Sequence, residues 1–415
     1  MPEPGFPEPY DFPGDLRLTI FHSRVLRTLS VRLFGHRLKN VRSVEPAYEN
    51  PAPRPAYNLH SSRSMMIRLE RQDMRTLGVI LALVLQLVIG GAHATPDLSG
   101  TYDVATLTPL ERRESFGNNL TLTQEEAKVL EEQFAARIAA ASRSSDPNRV
   151  APEKGGRVGG YNAFWFEFGE KNASIDGAFR TSIIFSPENG RIPPMTEYGA
   201  ERRAAFLKRW EIVWRNPDPT TSMNDGTAWW LQHESGPYDN IEQRPLAERC
   251  IIGSRSTAGP PMLPNIYNNH KRIIQTPTHV MILTEMNHDA RVIRLQGSPL
   301  PEDQQFWLGD SVGHWEVDTL VVQTANFKST PALSGANEHL KVIERFKRNN
   351  DGSLLYQFTV NNPEIWSESW SGEYPWAPSG GKIYEYACHE GNYALGNILR
   401  GARLLERDVN ELAAE

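Results

Sequence analysis

Phenol, carboxylate and imidazole groups are densest at residues 384–392, Tyr384-Glu385-Tyr386-Ala387-Cys388-His389-Glu390-Gly391-Asn392. A histidine beside a carboxylate is the common pair for proton transfer, because the acid orients the ring and stabilises its charged form. His389 with Glu390 or Glu385 is therefore the first catalytic candidate, and Tyr384 a substrate contact. If residues 383–389 form a strand, Ile383, Glu385, Ala387 and His389 share one face, and Tyr384, Tyr386 and Cys388 the other. The competing reading is a satisfied polar network at a strand end.

A second cluster is Glu285, His288, Asp289 and Arg291. His288 offers another acid or base, with Glu285 and Arg291 as substrate contacts on a turn at a barrel mouth, where loops often carry function. Ordinary turn chemistry, with Asn287 and Asp289 bonding locally, competes with that reading. In a third group, Asp239, Asn240, Glu242, Arg244, Glu248 and Arg249 precede Tyr267-Asn268-Asn269. There Arg244 is a candidate bidentate clamp for a carboxylate, with Asn268 and Asn269 as hydrogen-bonding partners. The alternative is a surface ion-pair lattice of small energetic value.

His270, His288, His314, His339 and His389 are dispersed, with no HExxH, HxH or CxxC spacing, so no metal is assigned, although three histidines converging in space stays open. No GxSxG elbow, P-loop or dinucleotide fingerprint occurs either, and no organic cofactor is expected. Trp229-Trp230, Trp366, Trp370, Tyr374 and Trp376 are either ring faces for a ligand or simply core.

Strands must position these groups. Residues 161–168 and 180–185 are expected to pair, and 279–286 and 291–295 to form a hairpin around Asn287-His288-Asp289. Residues 315–327 alternate as one strand. Leu340–Arg348 and Leu354–Val360 flank the turn Asn349-Asn350-Asp351-Gly352, with Leu354, Tyr356, Phe358 and Val360 on one face. The fold class is mainly β, an antiparallel meander closing into a lipocalin-like barrel whose interior holds a ligand. A two-sheet β-sandwich is the alternative. Short helices are expected over 123–141, capped by Thr121 or Thr123, over 200–209, and over 397–405.

Residues 75–94, RTLGVILALVLQLVIGGAHA, have arginines before a 13-residue apolar run and Ala92-His93-Ala94 after it. This is the pattern of a secretory signal with cleavage after Ala94, too short to span a bilayer well. Residues 1–64 hold nine prolines without periodicity and read as a disordered or spurious extension. The divisions are then 1–64, a signal at 65–94, a helical and loop segment at 95–160, the barrel at 161–407 and a tail at 408–415. Localisation is periplasmic or secreted, with no stable membrane anchor after cleavage.

Of the 44 basic and 50 acidic residues, 12 and 8 lie in residues 1–94, leaving 32 and 42 and a net charge of −10 beyond it. That balance disfavours nucleic acid and anionic lipid as partners. The 415-residue chain has only two cysteines, which in an oxidising compartment point to a Cys250–Cys388 disulfide, with Cys388 as a nucleophile the rival reading.

Residues 236–250 (GPYDNIEQRPLAERC), 309–327 (GDSVGHWEVDTLVVQTANF), 342–346 (VIERF) and 384–393 (YEYACHEGNY) resemble a family of uncharacterised exported bacterial proteins. The resemblance covers most of residues 95–407 and implies a bacterial source and an exported, β-rich protein. It carries no reaction, cofactor or catalytic role, and His314 stands where many relatives have Arg. Two functions follow from the residues. One is an exported enzyme doing cofactor-independent acid/base chemistry, of isomerase, lyase or hydrolase type, on a small, partly apolar molecule. The other is a non-catalytic, lipocalin-like binding protein for a small hydrophobic or aromatic ligand.

Overall fold

A computed structural model describes residues 95–144, 148, 150, 163–214, 228–232 and 238–414. The apparent signal segment and everything before it lie outside the described residues. The strands are β1 (Gly100–Asp103), β2 (Thr121–Leu122), β3 (Ser174–Ile175), β4 (Ala178–Arg180), β5 (Ile184–Ser186), β6 (His270–Gln275) and β7 (His279–Thr284). They continue with β8 (Ala290–Arg294), β9 (Asp310–Glu316), β10 (Thr319–Ala325), β11 (Lys341–Arg348), β12 (Leu354–Asn361) and β13 (Trp370–Pro378). The helices are α1 (Gln124–Ala141), α2 (Glu197–Trp214) and α3 (Ala394–Ala414).

Strands β1 and β6 to β13 pair in the order β1-β6-β7-β8-β9-β10-β11-β12-β13, and β13 returns to β1 through Tyr102↔Pro378 and Asp103↔Ala377. The result is a closed nine-stranded barrel, as the alternation of the strands implied, which leaves its members without a free edge. β5 adds to β13 beside the closure, and β2, β4 and β3 form a separate small sheet.

Several local expectations change. β8 and β9 run parallel, Ile293 opposite Ser311, so the barrel is mixed rather than a pure meander. The connection over 295–309 is long enough for a crossover, whereas tight turns join only antiparallel strands. The alternating stretch 315–327 is not one strand: it folds back at Val317-Asp318, Val317 taking φ 58°. Of the pair proposed at 161–168 and 180–185, Tyr161 and Asn162 lie outside the described residues, Ala163–Trp165 is a 3-10 turn and β5 pairs with β13. Residues 383–389 form no strand. The barrel also takes β1 from ahead of residue 161.

Local signals that depend on neighbouring residues hold up. Thr123 caps α1 with a capping box, its side chain accepting from Glu126 N–H while the Glu126 carboxylate accepts from Thr123 N–H. The β11–β12 turn lies at Asn349–Ser353, with Gly352 at φ 85°.

The interior is filled, not hollow. Leu354, Tyr356, Phe358 and Val360 all point inward and are at most 2% exposed. Phe346, Trp370, Tyr374 and Trp376 meet them, the Tyr356 and Trp376 rings lying 4.8 Å apart. The segment 256–263 is buried throughout and is gripped by inward side chains. Tyr356 Oη accepts from Met262 N–H (2.9 Å), Tyr374 Oη donates to Met262 C=O (2.9 Å), and Lys271 Nζ donates to Thr257 C=O (2.7 Å). A closed barrel can enclose a small molecule, but here the described residues occupy that volume.

Lys271 is fully buried, which pushes its amine down to about 7; Asp289 and Glu285 pull the other way and Arg291 adds to the depression. In the unfolded chain the amine returns toward 10.5, so between these values the unfolded state binds more protons and stability rises with pH. Urea unfolding should therefore show stability climbing from about pH 7 toward about pH 10, by up to about 1.4 kcal/mol per pH unit from this group. Lys271→Met should remove that climb; equal slopes in the two proteins would show that the amine stays charged inside the barrel.

Candidate functional site

Pairing at one rim of the barrel brings together groups far apart in the chain. The β6–β7 register places Lys271 opposite Thr284, so His270 and Glu285 are the next cross-strand neighbours, and Glu285 N–H donates to His270 C=O (3.0 Å). Asp103 stands opposite His270 on β1. Glu167 arrives on a loop whose N–H donates to Ile266 C=O (2.7 Å), and its carboxylate accepts from Asn269 N–H (3.3 Å). Ser379 follows β13, its N–H held by Thr101 C=O at 2.8 Å.

His270 is the centre of this group. Its Nδ1 lies 3.6 Å from Glu285 Oε2 and its Nε2 3.1 Å from Ser379 Oγ, with the side chain 21% exposed. The Glu285 carboxylate raises the imidazole above its ordinary range, burial opposes this, and Asp103 and Glu167 add to the rise. For Glu285, burial pushes the carboxyl up, but the His270 ring and the Tyr384 N–H more than offset it, leaving it below the usual range. The chain passes close over the ring: a Cβ on Gly381 would come 2.9 Å from His270 Nε2.

Residues 379–392 form a strap across this rim, rooted at Ser379 and fastened at three points beyond it. Tyr384 N–H donates to Glu285 Oε1 (3.2 Å), Tyr386 N–H donates to His288 Nε2 (2.7 Å), and Cys388 is bonded to Cys250. The disulfide expected from the sequence is present. His288 and Glu285 thus both receive strap N–H groups. An Nε2 that accepts carries no proton, which places the ring's own proton on Nδ1.

The candidates from sequence separate accordingly. His389, Glu390 and Glu385 are exposed, and no hydrogen bond or ion pair joins the histidine to either acid among the described residues. The strap holds them by its backbone and leaves these side chains outside, so they do not form the expected pair. Arg244 is buried against Glu248 (2.7 Å) and the Tyr238 ring, within the ion-pair lattice rather than beside the other candidates. Arg291 points into the barrel, Nη2 2.7 Å from Glu344 Oε2, and so is an internal cation with its counter-ion. Asn268 adopts φ 55° at the turn before β6; Asn269 is buried and spends its amide on Glu167 C=O and Asn265 C=O. Tyr384 contributes its backbone while its ring is exposed. Trp366, Trp370, Tyr374 and Trp376 are core.

His270 entered the sequence reading only as one of several scattered histidines, while Glu167 and Ser379 carried no signal. The β6–β7 turn at residues 276–278 fixes His270 opposite Glu285 by counting outward, so the pairing was available to register arithmetic. Beside the strap, a cleft of about 360 Å³ is lined by Ile251, Ile252, His288, Phe306, Trp307 and Leu308.

The fold and rim define a closed, mixed β-barrel with an imidazole–carboxylate cluster at one mouth, covered by a disulfide-anchored strap. No protein-family model matches the chain, and no curated protein aligns with it. Among the described residues no helix is long and apolar enough to cross a membrane.

Because the His270 pKa is raised on folding, its contribution to stability is complete below about pH 6.5 and is lost as pH rises through the folded value. His270→Gln should lower the unfolding midpoint most near pH 5 to 6, with the gap to wild type narrowing by about pH 9. A gap that widens with pH would show that the ring is held neutral.

Proposed function

We propose that this chain is an exported enzyme of the hydrolase type, with Ser379 as nucleophile, His270 as general base and Glu285 as the carboxylate that orients the ring. The observation that carries the reading is His270 lying between Ser379 Oγ on Nε2 and Glu285 Oε2 on Nδ1, at 3.1 and 3.6 Å. An alcohol, an imidazole and an acid in that order activate a serine whatever fold supports them, and such contacts commonly tighten only when substrate binds. In the reaction Ser379 Oγ bonds to the acyl carbon as its proton passes to His270 Nε2. The leaving group departs with that proton; water then gives a proton to the same ring and bonds to the acyl carbon, and the Ser379 Oγ–acyl bond breaks as that proton returns to Oγ. Export is supported by the signal-like segment 75–94 and by the disulfide, a bond characteristic of oxidising compartments.

A second reading, binding of a small apolar ligand without turnover, is favoured by the cleft beside His288, where Val292 and Phe306 are 52% and 43% exposed. A serine-reactive fluorophosphonate separates the two. It should label wild-type protein at Ser379, fail on Ser379→Ala, and react at least about 100-fold more slowly with His270→Ala, the order of rate that a general base supplies. Absence of labelling in folded wild-type protein, or equal labelling of Ser379→Ala, would overturn the hydrolase reading and leave the binding one.

A further inference from the structure

We propose that Glu167, His270 and Glu285 form a binding site for a divalent transition-metal cation of the zinc class. One ligand atom from each lies within 4.8 Å of the others. Glu285 is 3% exposed; Oε1 accepts from Tyr384 N–H, and the His270 ring and the Asn268 side chain also favour the charged carboxylate, but among the described residues Oε2 completes no hydrogen bond. A buried carboxylate oxygen without a donor is costly, and it faces the imidazole nitrogen. The cluster is fixed on one side and adjustable on the other. His270 opens β6 and Glu285 directly follows β7, tied to it by the Glu285 N–H to His270 C=O bond, whereas Glu167 is exposed and, among the described residues, held through its carboxylate by one 3.3 Å bond, so it can close the remaining distance.

One imidazole nitrogen and two carboxylate oxygens suit a borderline cation of the zinc class, and three protein ligands leave a fourth position for water. Asp103, opposite His270, adds a third negative charge near the site, and the Nε2 contact with Ser379 fixes the ring from behind.

The site stands on these residues whatever Ser379 does. One consequence does rest on the hydrolase reading. A cation on Nδ1 leaves the neutral ring's proton on Nε2, so the imidazole donates to Ser379 Oγ instead of accepting from it. Zinc would then silence the base.

Zinc chloride titrated calorimetrically into chelator-stripped full-length protein tests the site. Wild type should bind one equivalent with micromolar affinity or better, and Glu167→Gln and His270→Gln should each weaken it by at least about tenfold, in the range that disturbing a ligand shell produces. Glu167 is exposed, so its variant keeps the test valid if His270→Gln folds poorly. Binding of equal strength in wild type and Glu167→Gln would overturn the proposal, pointing to surface pairs such as His339–Glu364, 3.6 Å apart. So would the absence of a saturable site. Fluorophosphonate labelling with and without zinc keeps the two readings apart. A protein that binds zinc but never labels retains the cation site and loses the hydrolase reading, and one that labels but binds no zinc does the reverse.

Discussion

Glu344 is a fully buried carboxylate at the centre of the barrel, and the arrangement around it depends on keeping that charge satisfied. Arg291 of β8 approaches Oε2 to 2.7 Å, and Tyr356 of β12 donates to Oε1 at 2.7 Å. The same phenol oxygen accepts the Met262 N–H, so one carboxylate on β11 fixes two other strands and the buried segment 256–263 together. Leaving either ion of such a pair alone costs about 3–5 kcal/mol, because the survivor stays buried without a partner. Four stretches of chain are thereby committed to one geometry, and the centre of the barrel is committed to structure.

That commitment moves the candidate chemistry to the rim. A lumen crossed by Trp376, Tyr374 and the backbone of Met262 has little room for a substrate, whereas at the rim the His270 side chain stays 21% exposed beside buried Glu285. His270 and Glu285 differ from the interior ion pair in a way that matters for function. The interior ions touch at 2.7 Å and are sealed from solvent, whereas at the rim Glu285 Oε2 lies 3.6 Å from a ring that is 21% exposed. Groups with spare valence and partial access are the ones able to exchange protons or accept a cation.

Much of this was legible in local pattern. The alternation of Leu354, Tyr356, Phe358 and Val360, the turn before Gly352, the Thr123 cap and the Cys250–Cys388 bond each follow from neighbouring residues or from elimination. What failed depends on distant partners. The stretch 315–327 reads as one alternating strand and yet turns at Val317, a residue type that resists positive φ, so that β9 and β10 pair with each other. The parallel β8–β9 contact has no local signature at all. Arg291 reads as a substrate contact on the hairpin and Glu344 draws no notice until the pairing across the barrel is known, and His270 reads as one histidine among many until its register is counted.

The richest run of functional groups, residues 384–392, illustrates why density along the chain misleads. A strap is held by whatever its neighbours can accept, and here Glu285 and His288 accept backbone N–H groups, so Tyr384, Glu385, His389 and Glu390 are free to face water. The disulfide reinforces this by fixing Cys388 without using any of their side chains. The strap's influence on chemistry lies instead at its root. Ser379 leaves β13 with its N–H bound to β1, and Gly381 lets the chain pass against the His270 ring, where a Cβ would collide. The same segment occupies one oxygen of Glu285 and leaves the other facing the His270 ring. Its backbone, rather than the side chains that first draw attention, decides which atoms at the rim remain open for reaction.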